Sequence, residues 1–366
     1  VDFALSETQL AVIEAAAHVL DQSEPHAPAS AGERDEPYDR ALWKELGQAG
    51  LLALALPAWL GGDGLGVMDA AVLLTEVGRR AVPVPALATL VMGALPVARW
   101  GGREMQEALL TGVATGDVVL TAAVREPSDP TPGSPATTAR VRDGSGTVSG
   151  VKVGVPYCAA ARWILVPASF GSGGTGVVVV DPSAGGVTMR RTPSSAGGPE
   201  YTLRLDEAPV AHVLGEADGR VMADLYQLTI AGACCLADGA LAAALALTTA
   251  HVGSREQFGR PLAAFQAVAQ QIADVYIASR TLHLAAVSAC WRLDTGREAG
   301  GDIDVAAYWL AEQGPRALRT CHHLHGGTGM DVRYPLHRYS AFVKDLVRLV
   351  GGADHRLDRL GARISD

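Results

Sequence analysis

Apolar positions recur at helical spacing from the N-terminus onward. Leu10, Ile13, Ala17 and Leu20 predict one face of an amphipathic helix, and Ser6 followed by Gln9 reads as a capping box that opens it. A loop rich in Pro, Ser and Gly follows at residues 23–37. Leu42, Trp43 and Leu46 then repeat at helical spacing within residues 38–49. Gly61-Gly62-Asp63-Gly64-Leu65-Gly66 is a turn before a helix at residues 67–78. From about residue 117 the pattern changes to short β-branched runs bounded by Gly, Asp and Pro. Residues 118–124, 147–153, 163–166, 176–180 and 202–205 predict strands, with Pro127, Pro130, Pro132 and Pro135 in a loop between the first two. From about residue 217 helical periodicity returns, as long helices at 220–254 and 262–293 and two more at 304–324 and 336–349. Helices, then strands, then helices describe an α+β chain. The expected domains are helical over residues 1–116, a small β-barrel or sandwich over 117–216 and a C-terminal four-helix bundle over 217–366.

Composition narrows the classes of function. The 366 residues carry 30 Lys+Arg against 39 Asp+Glu, a net charge of −9, with 48% apolar and 19% charged residues. That profile suits a globular chain with a large core. The acidic balance and the lack of any long basic run argue against binding a nucleic-acid backbone. Five scattered cysteines, Cys158, Cys234, Cys235, Cys290 and Cys321, form no CxxC and no even framework, which points to a reducing compartment and away from a zinc ribbon. The first residues lack the basic and apolar regions of a signal peptide. Residues 229–252 contain one charge, Asp238, and are apolar enough to raise a membrane span. An Asp near the middle of a span costs about 2.5–3.5 kcal/mol, and Ala, Gly and Thr contribute little to insertion. A buried core helix and a cytoplasmic protein are the expectation.

Several chemistries have no motif here. The glycine cluster at 61–66 is not GxGxxG, because Val67 takes the place of the last glycine, and no strand precedes it. GxSxG, GxxxxGK[ST] and HExxH are absent. His322, His323 and His325 invite a metal reading. On a helix 322 and 325 share a face while 323 points elsewhere, and no further ligand stands at a matching spacing. A polar helix end running into a glycine cap is expected there, and no metal site.

Four segments, in order and spaced over nearly the whole chain, resemble the acyl-CoA dehydrogenase family. The first is Gly50-Leu51-Leu52 with Pro57, Gly61-Gly62 and Gly64-Leu65-Gly66. The second is Gly150-Val151-Lys152, read as closing a hairpin, with the later run from Leu203 to Val210 and Leu214-Gly215. The third is Arg255-Glu256-Gln257-Phe258-Gly259-Arg260-Pro261 with Gln266. The fourth is His325-Gly326-Gly327-Thr328-Gly329 with Tyr334-Pro335. The resemblance implies a tetramer of two dimers in which each FAD lies between subunits. One subunit supplies the β domain and a catalytic glutamate; its neighbour supplies the Arg-x-x-Phe, the downstream Gln and a Gln-x-x-Gly-Gly segment. On this donating side the chain keeps Arg255, Phe258, Gln266, Gly326 and Gly327, and His323 stands in the place of the Gln, still able to donate and accept a hydrogen bond. The residue types suit a dinucleotide: Arg offers a fork-shaped cation to a pyrophosphate, Phe an apolar ring, and paired glycines a close backbone approach.

The receiving side departs from the family. Its flavin loop is Glu126-Pro127-Ser128-Asp129-Pro130, without the Gly-Ser pair of relatives. The segment that should flank the flavin ring reads Val153-Gly154-Val155-Pro156-Tyr157. The family's Glu-Gly-Thr-x-Gln becomes Val350-Gly351-Gly352-Ala353-Asp354. Removing the α-proton of a thioester needs a placed carboxylate. The usual position falls on Val350 or Gly351, and the alternative one on Thr229, beside Ile230; the nearest acid there, Asp224, is more than one turn away. No catalytic residue is therefore expected on this chain. It resembles the base-lacking subunit of bacterial α2β2 acyl-CoA dehydrogenases, several of which oxidise the CoA-thioester side chains of steroids. The resemblance implies FAD shared with a homologous partner that carries the glutamate, and an acyl-CoA substrate. A homotetrameric dehydrogenase with an unrecognised base, a flavin monooxygenase on the same fold and a flavin-free scaffold remain open.

Overall fold

The computed structural model describes residues 3–22, 38–142, 145–171 and 173–365. The loop expected at 23–37 lies outside them. Helix α1 (Glu7–Gln22) opens with the expected reciprocal cap: Gln9 N–H donates to Ser6 Oγ at 3.2 Å and Ser6 N–H to Gln9 Oε1 at 3.0 Å. Its buried stripe is Val12, Ala16 and Leu20, whereas Leu10 is 54% exposed. The apolar face is thus rotated from the expected one, because short Val and Ala side chains fit where α1 packs on the helix at 67–80. Helix α2 (Arg40–Gln48) is capped by Asp39, which accepts from Leu42 N–H at 3.0 Å, and it buries Leu42, Trp43 and Leu46. Helix α3 (Val67–Arg80) is capped from far along the chain: Asp294 accepts from Val67 and Met68 N–H at 2.6 and 3.3 Å. A Cβ on Gly66 would collide with that carboxylate, so the end of the glycine cluster needs its glycine for close approach. A π-helical stretch (Leu87–Ala94), α4 (Leu95–Trp100) and α5 (Arg103–Leu110) complete this part.

The central strands are β1 (Leu120–Ala122), β2 (Thr138–Arg142), β3 (Ser145–Pro156), β4 (Trp163–Phe170), β5 (Thr175–Val180), β6 (Val187–Thr192), β7 (Glu200–Pro209) and β8 (His212–Leu214). They join one sheet in the order β6-β7-β3-β2-β4-β5-β8, with β1 parallel to β4. Strands β2, β6 and β8 are not legible in the sequence, β2 and β6 because paired arginines, Arg140 with Arg142 and Arg190 with Arg191, dilute their apolar signal. Gly150-Val151-Lys152 does not close a hairpin. It lies inside β3 at a register shift against β7, where a Cβ on Gly150 would run into Thr137.

The C-terminal part holds α6 (Arg220–Ser254), a hairpin of β9 (Glu256–Gln257) and β10 (Arg260–Pro261), α7 (Gln266–Asp294), α8 (Gly300–His325), α9 (Leu336–Leu349) and α10 (Gly352–Ser365). Helix α7 starts later than expected because Arg255 to Phe265 is spent on the hairpin and a 3₁₀ turn. Helix α6 is long and apolar enough to cross a membrane, but 72% of its most apolar window is buried inside the protein, as a core helix. Its one mid-helix charge, Asp238, is buried and bonded to Nδ1 of His283 at 2.9 Å. Helices α3 and α6 meet at glycines: a Cβ on Gly78 would strike the Leu236 carbonyl, and one on Gly239 the Thr75 carbonyl. Helix α10 lies beyond the four helices read from the sequence and packs on α8. There Asp304 accepts from Arg356 Nη1, Arg359 Nε and Arg363 Nε at 3.0, 3.1 and 2.9 Å. Burial opposes ionisation of Asp304, yet the surrounding guanidiniums hold its carboxyl below the usual range.

Candidate functional site

The six expected flavin-binding residues sit on exposed backbone at three helix ends. Arg255 follows the last turn of α6, Phe258 tips the β9–β10 hairpin, Gln266 opens α7, and His323, Gly326 and Gly327 lie at the end of α8; all are exposed. Gln257 pairs with Arg260, so Phe258 and Gly259 are the two central turn residues, at φ 53° and 76°. Both fall in the left-handed region that a tight hairpin requires. For a Phe this costs about 1–2 kcal/mol. The strain holds its ring 92% exposed, in edge-on contact with Phe265 at 6.2 Å. An aromatic ring held out at such a cost does nothing for its own core. At Gly326 and Gly327 a Cβ would meet nothing within 4 Å, so both offer open backbone.

Two histidines join these motifs. His251, one turn before Arg255, stacks on His325, which immediately precedes Gly326, with ring centroids 4.5 Å apart and planes 21° apart. The ends of α6 and α8 therefore meet. His325 is 4% exposed; its Nδ1–H donates to Cys321 O at 2.8 Å and its Nε2 accepts from the Tyr334 hydroxyl at 3.0 Å. His322 donates from Nδ1 to Gly329 O at 3.0 Å and accepts from Ser340 Oγ at 2.7 Å. Both rings thus have their nitrogens engaged within the protein, and His323 points to solvent. No group of three metal-ligating side chains is assembled among the described residues. Sequence reasoning misses His251, although its i, i+4 spacing to Arg255 is a signal.

The segments expected on the receiving side make their contacts within the chain. The loop from Glu126 folds on itself, Glu126 N–H donating to Asp129 O at 2.9 Å. The Glu126 carboxylate accepts from Ala136 and Thr137 N–H at 2.7 and 2.9 Å and from the buried Lys152 Nζ at 2.8 Å. Burial pulls Lys152 down to about 8, against the pull of Glu126. The far end of the loop docks on the bundle: Tyr226 donates its hydroxyl to Pro132 O at 3.2 Å, and Thr131 Oγ1 lies 3.4 Å from His355 Nε2. Within the ring-flanking segment, a Cβ on Gly154 would lie 2.9 Å from Arg125 Nη1, 3.4 Å from Glu200 Oε2 and 3.8 Å from Arg348 Nη1. A cluster of ions fills that space. Arg348 Nη2 donates to Glu200 and Asp345 at 2.7 and 3.0 Å, and Asp345 accepts from Ser195 and Ala196 N–H at 2.8 Å. Burial raises the Glu200 carboxyl, partly offset by Arg348, and burial lowers Arg125, helped by the charge of Arg348.

The positions expected to hold a base are packed. Val350 is fully buried, its carbonyl accepting from Arg356 Nε at 2.5 Å. Gly351 has φ 95°, and a Cβ there would lie 2.6 Å from Pro130 Cγ. Thr229 is 3% exposed and donates to Leu225 O at 2.7 Å. Asp224 is occupied by Trp100 Nε1 and Arg99 Nη1, each at 2.8 Å. The residues expected to donate to a flavin are thus exposed, whereas the segments expected on the receiving side are engaged in contacts within the chain.

Comparison with known proteins agrees with this architecture. The model of the acyl-CoA dehydrogenase N-terminal domain matches residues 6–117, and that of the acyl-CoA dehydrogenase C-terminal domain matches residues 223–363. The acyl-CoA dehydrogenase FadE28 of Mycobacterium tuberculosis is 48% identical over 328 residues, 88% of this chain and 92% of that one. Among solved structures, the ChsE4–ChsE5 complex from Mycobacterium tuberculosis aligns with TM-score 0.93 and 31% identity over 100% of this chain and 99% of that chain. A variant of the Tcur3481–Tcur3483 steroid ACAD aligns with TM-score 0.92 and 34% identity over 98% of each. With N-terminal helices, a central sheet and a C-terminal helical bundle in the shared order, the chain belongs to the acyl-CoA dehydrogenase family.

Proposed function

We propose that this chain is the base-lacking subunit of a heteromeric, α2β2-type acyl-CoA dehydrogenase that desaturates a CoA thioester in the cytoplasm. It would complete the FAD site of a homologous partner bearing the catalytic glutamate. One observation carries the reading: an open donor face and a packed receiving side in the same chain. The two-chain names of its structural relatives, ChsE4–ChsE5 and the Tcur3481–Tcur3483 steroid ACAD, support a heteromer and make a steroid side chain the favoured acyl group. The domain limits proposed remain 1–116, 117–216 and 217–366.

Bound FAD supplies a two-electron acceptor for α,β-desaturation. In this reading Arg255 pairs its guanidinium with the pyrophosphate. Phe258 packs its ring on the flavin's apolar surface. Gly326 and Gly327 bring backbone close to the ADP moiety, and Gln266 and His323 hydrogen-bond to it. Proton removal belongs to the partner, since the positions that would hold a base here carry Val350, Gly351 and Thr229.

The test is to purify the chain alone and with its genomic neighbour and to measure flavin per chain. The chain alone should be nearly colourless, the complex yellow, and Arg255→Ala in the complex should lose its flavin. Losing a charge-assisted contact of this kind costs about 1.5–3 kcal/mol. A yellow homotetramer that turns over an acyl-CoA by itself would establish the catalytic reading instead.

A further inference from the structure

Arg255 and the Gly326–Gly327 segment are 71 and 72 residues apart in sequence and follow the ends of separate helices, yet in the proposed donor role one flavin meets both. The Arg255 residue and both glycines are exposed, and each is tied by backbone bonds only to its own segment, Arg255 O accepting from Leu262 N–H at 2.8 Å and Gly326 N–H donating to His323 O. What joins them is the ring pair one turn before the first and one residue before the second. Arg255 N–H donates to His251 O at 2.8 Å, so the ring-bearing residue and Arg255 are one hydrogen-bonded helix turn apart. His325 is locked by Cys321 O on its own helix and by Tyr334 beyond the glycine turn. Because a carbonyl only accepts, the proton of the neutral ring is on Nδ1, and Nε2 is left to take the Tyr334 hydroxyl proton. His322 fixes the other side of the same turn through Gly329 and Ser340.

We infer that the His251–His325 stack is a positioning pair that holds Arg255 in register with Gly326–Gly327, and that it does so with both rings neutral. The inference rests on the donor role proposed above and adds to it a residue, His251, that touches no ligand itself. The groups facing the pair are cationic or neutral: Arg255 on α6, His322 on α8 and Tyr334 after it. Burial lowers His251, assisted by Arg255, and burial likewise lowers His325, with His251 and His322 adding to it. The neutral form is therefore favoured in the fold. The stabilisation from the stack is fully present above the ordinary histidine pKa of about 6.5 and is lost as the pH falls below that through the lowered values of the folded pair.

The experiment uses the complete complex with the base-bearing subunit and reads FAD affinity by flavin fluorescence from about pH 8 to about pH 5.5, a range that brackets histidine titration. At the upper pH His251→Ala should weaken FAD by about two- to tenfold, the range a ring pair is worth. His251→Phe should restore the affinity, because a stacked ring suffices. Wild type should lose affinity below about pH 6.5, and His251→Phe should lose much less, having no second charge to set against His325. Wild-type affinity in His251→Ala, an acid limb equally steep in His251→Phe, or a wild-type affinity that rises on acidification would each overturn the pair's role. Arg255→Ala separates the two levels. If it weakens FAD while the His251 variants do not, the donor role stands and the stack falls; if it leaves FAD binding intact, both fall.

Discussion

Lys152 is fully buried, and its ammonium pairs with the carboxylate of Glu126 in the interior. Glu126 gains two backbone N–H donors and one ammonium, so the loop that follows it is organised around an internal ion pair. Breaking such a pair from one side leaves an uncompensated buried charge. Lys152→Met should therefore cost about 3–5 kcal/mol in chemical denaturation, and adding Glu126→Gln should recover a good part of it. A single-mutant loss under about 1 kcal/mol would mean that the carboxylate finds water when Lys152 is removed. The contrast in legibility is clear at this scale. Arg255, Phe258 and the glycines stand in short contiguous motifs, so their resemblance could be read directly. Arg125, Glu200 and Arg348 are scattered over three parts of the chain and meet only after β3 and β7 pair, and no local pattern announces them.

Helices are legible where a 3.6-residue apolar period coincides with burial, as for Leu42, Trp43 and Leu46. Helix α10 escapes such a reading because it is held by charge. Arg356, Arg359 and Arg363 form a helical stripe, but the acid that they share, Asp304, is 52 residues before the first of them. The close crossing of α3 and α6 is equally silent, since Gly78 and Gly239 register only as weak helix formers. At that crossing Gly239→Ala should cost about 1–3 kcal/mol, as overpacked sites do. Gly253→Ala in the same helix meets nothing within 4 Å. It should stabilise by roughly 0.5–1 kcal/mol through helix propensity. Thermal melts of the two variants moving in the same direction would refute the crossing as the cause. Asp294→Ala removes the cap of α3 from across the molecule and should cost about 0.5–2 kcal/mol. The effect should emerge as faster amide exchange at Val67 and Met68, whose N–H groups it binds.

On the scale of the whole molecule, the proposed role calls for a surface that meets a partner. Besides Phe258, helix α7 shows Tyr276, Ile277 and Leu284 at 55%, 59% and 51% exposure, apolar side chains that a partner could cover. In the proposed reading the absence of a base is a matter of shape as well as of residue type, and restoring a glutamate should fail for a physical reason. Val350→Glu would push a carboxylate into a fully buried position beside the carbonyl that Arg356 holds. Gly351→Glu would need a side chain where Pro130 already sits, on backbone at φ 95°. Thr229→Glu would replace a small buried hydroxyl that is satisfied within its own helix. Each should lower stability by several kcal/mol, roughly the cost of an unpaired buried charge. None should add activity, because a base acts only when its acceptor lies within reach and in line. Flavin per complex should stay at one for each base-bearing partner, and removing the partner's glutamate should abolish turnover. The assay is acyl-CoA oxidation with an artificial electron acceptor, run on each variant complex beside the isolated chain. A glutamate variant that gains turnover with the partner's base deleted would show that the receiving side can open and bind flavin, and the non-catalytic assignment would then be lost.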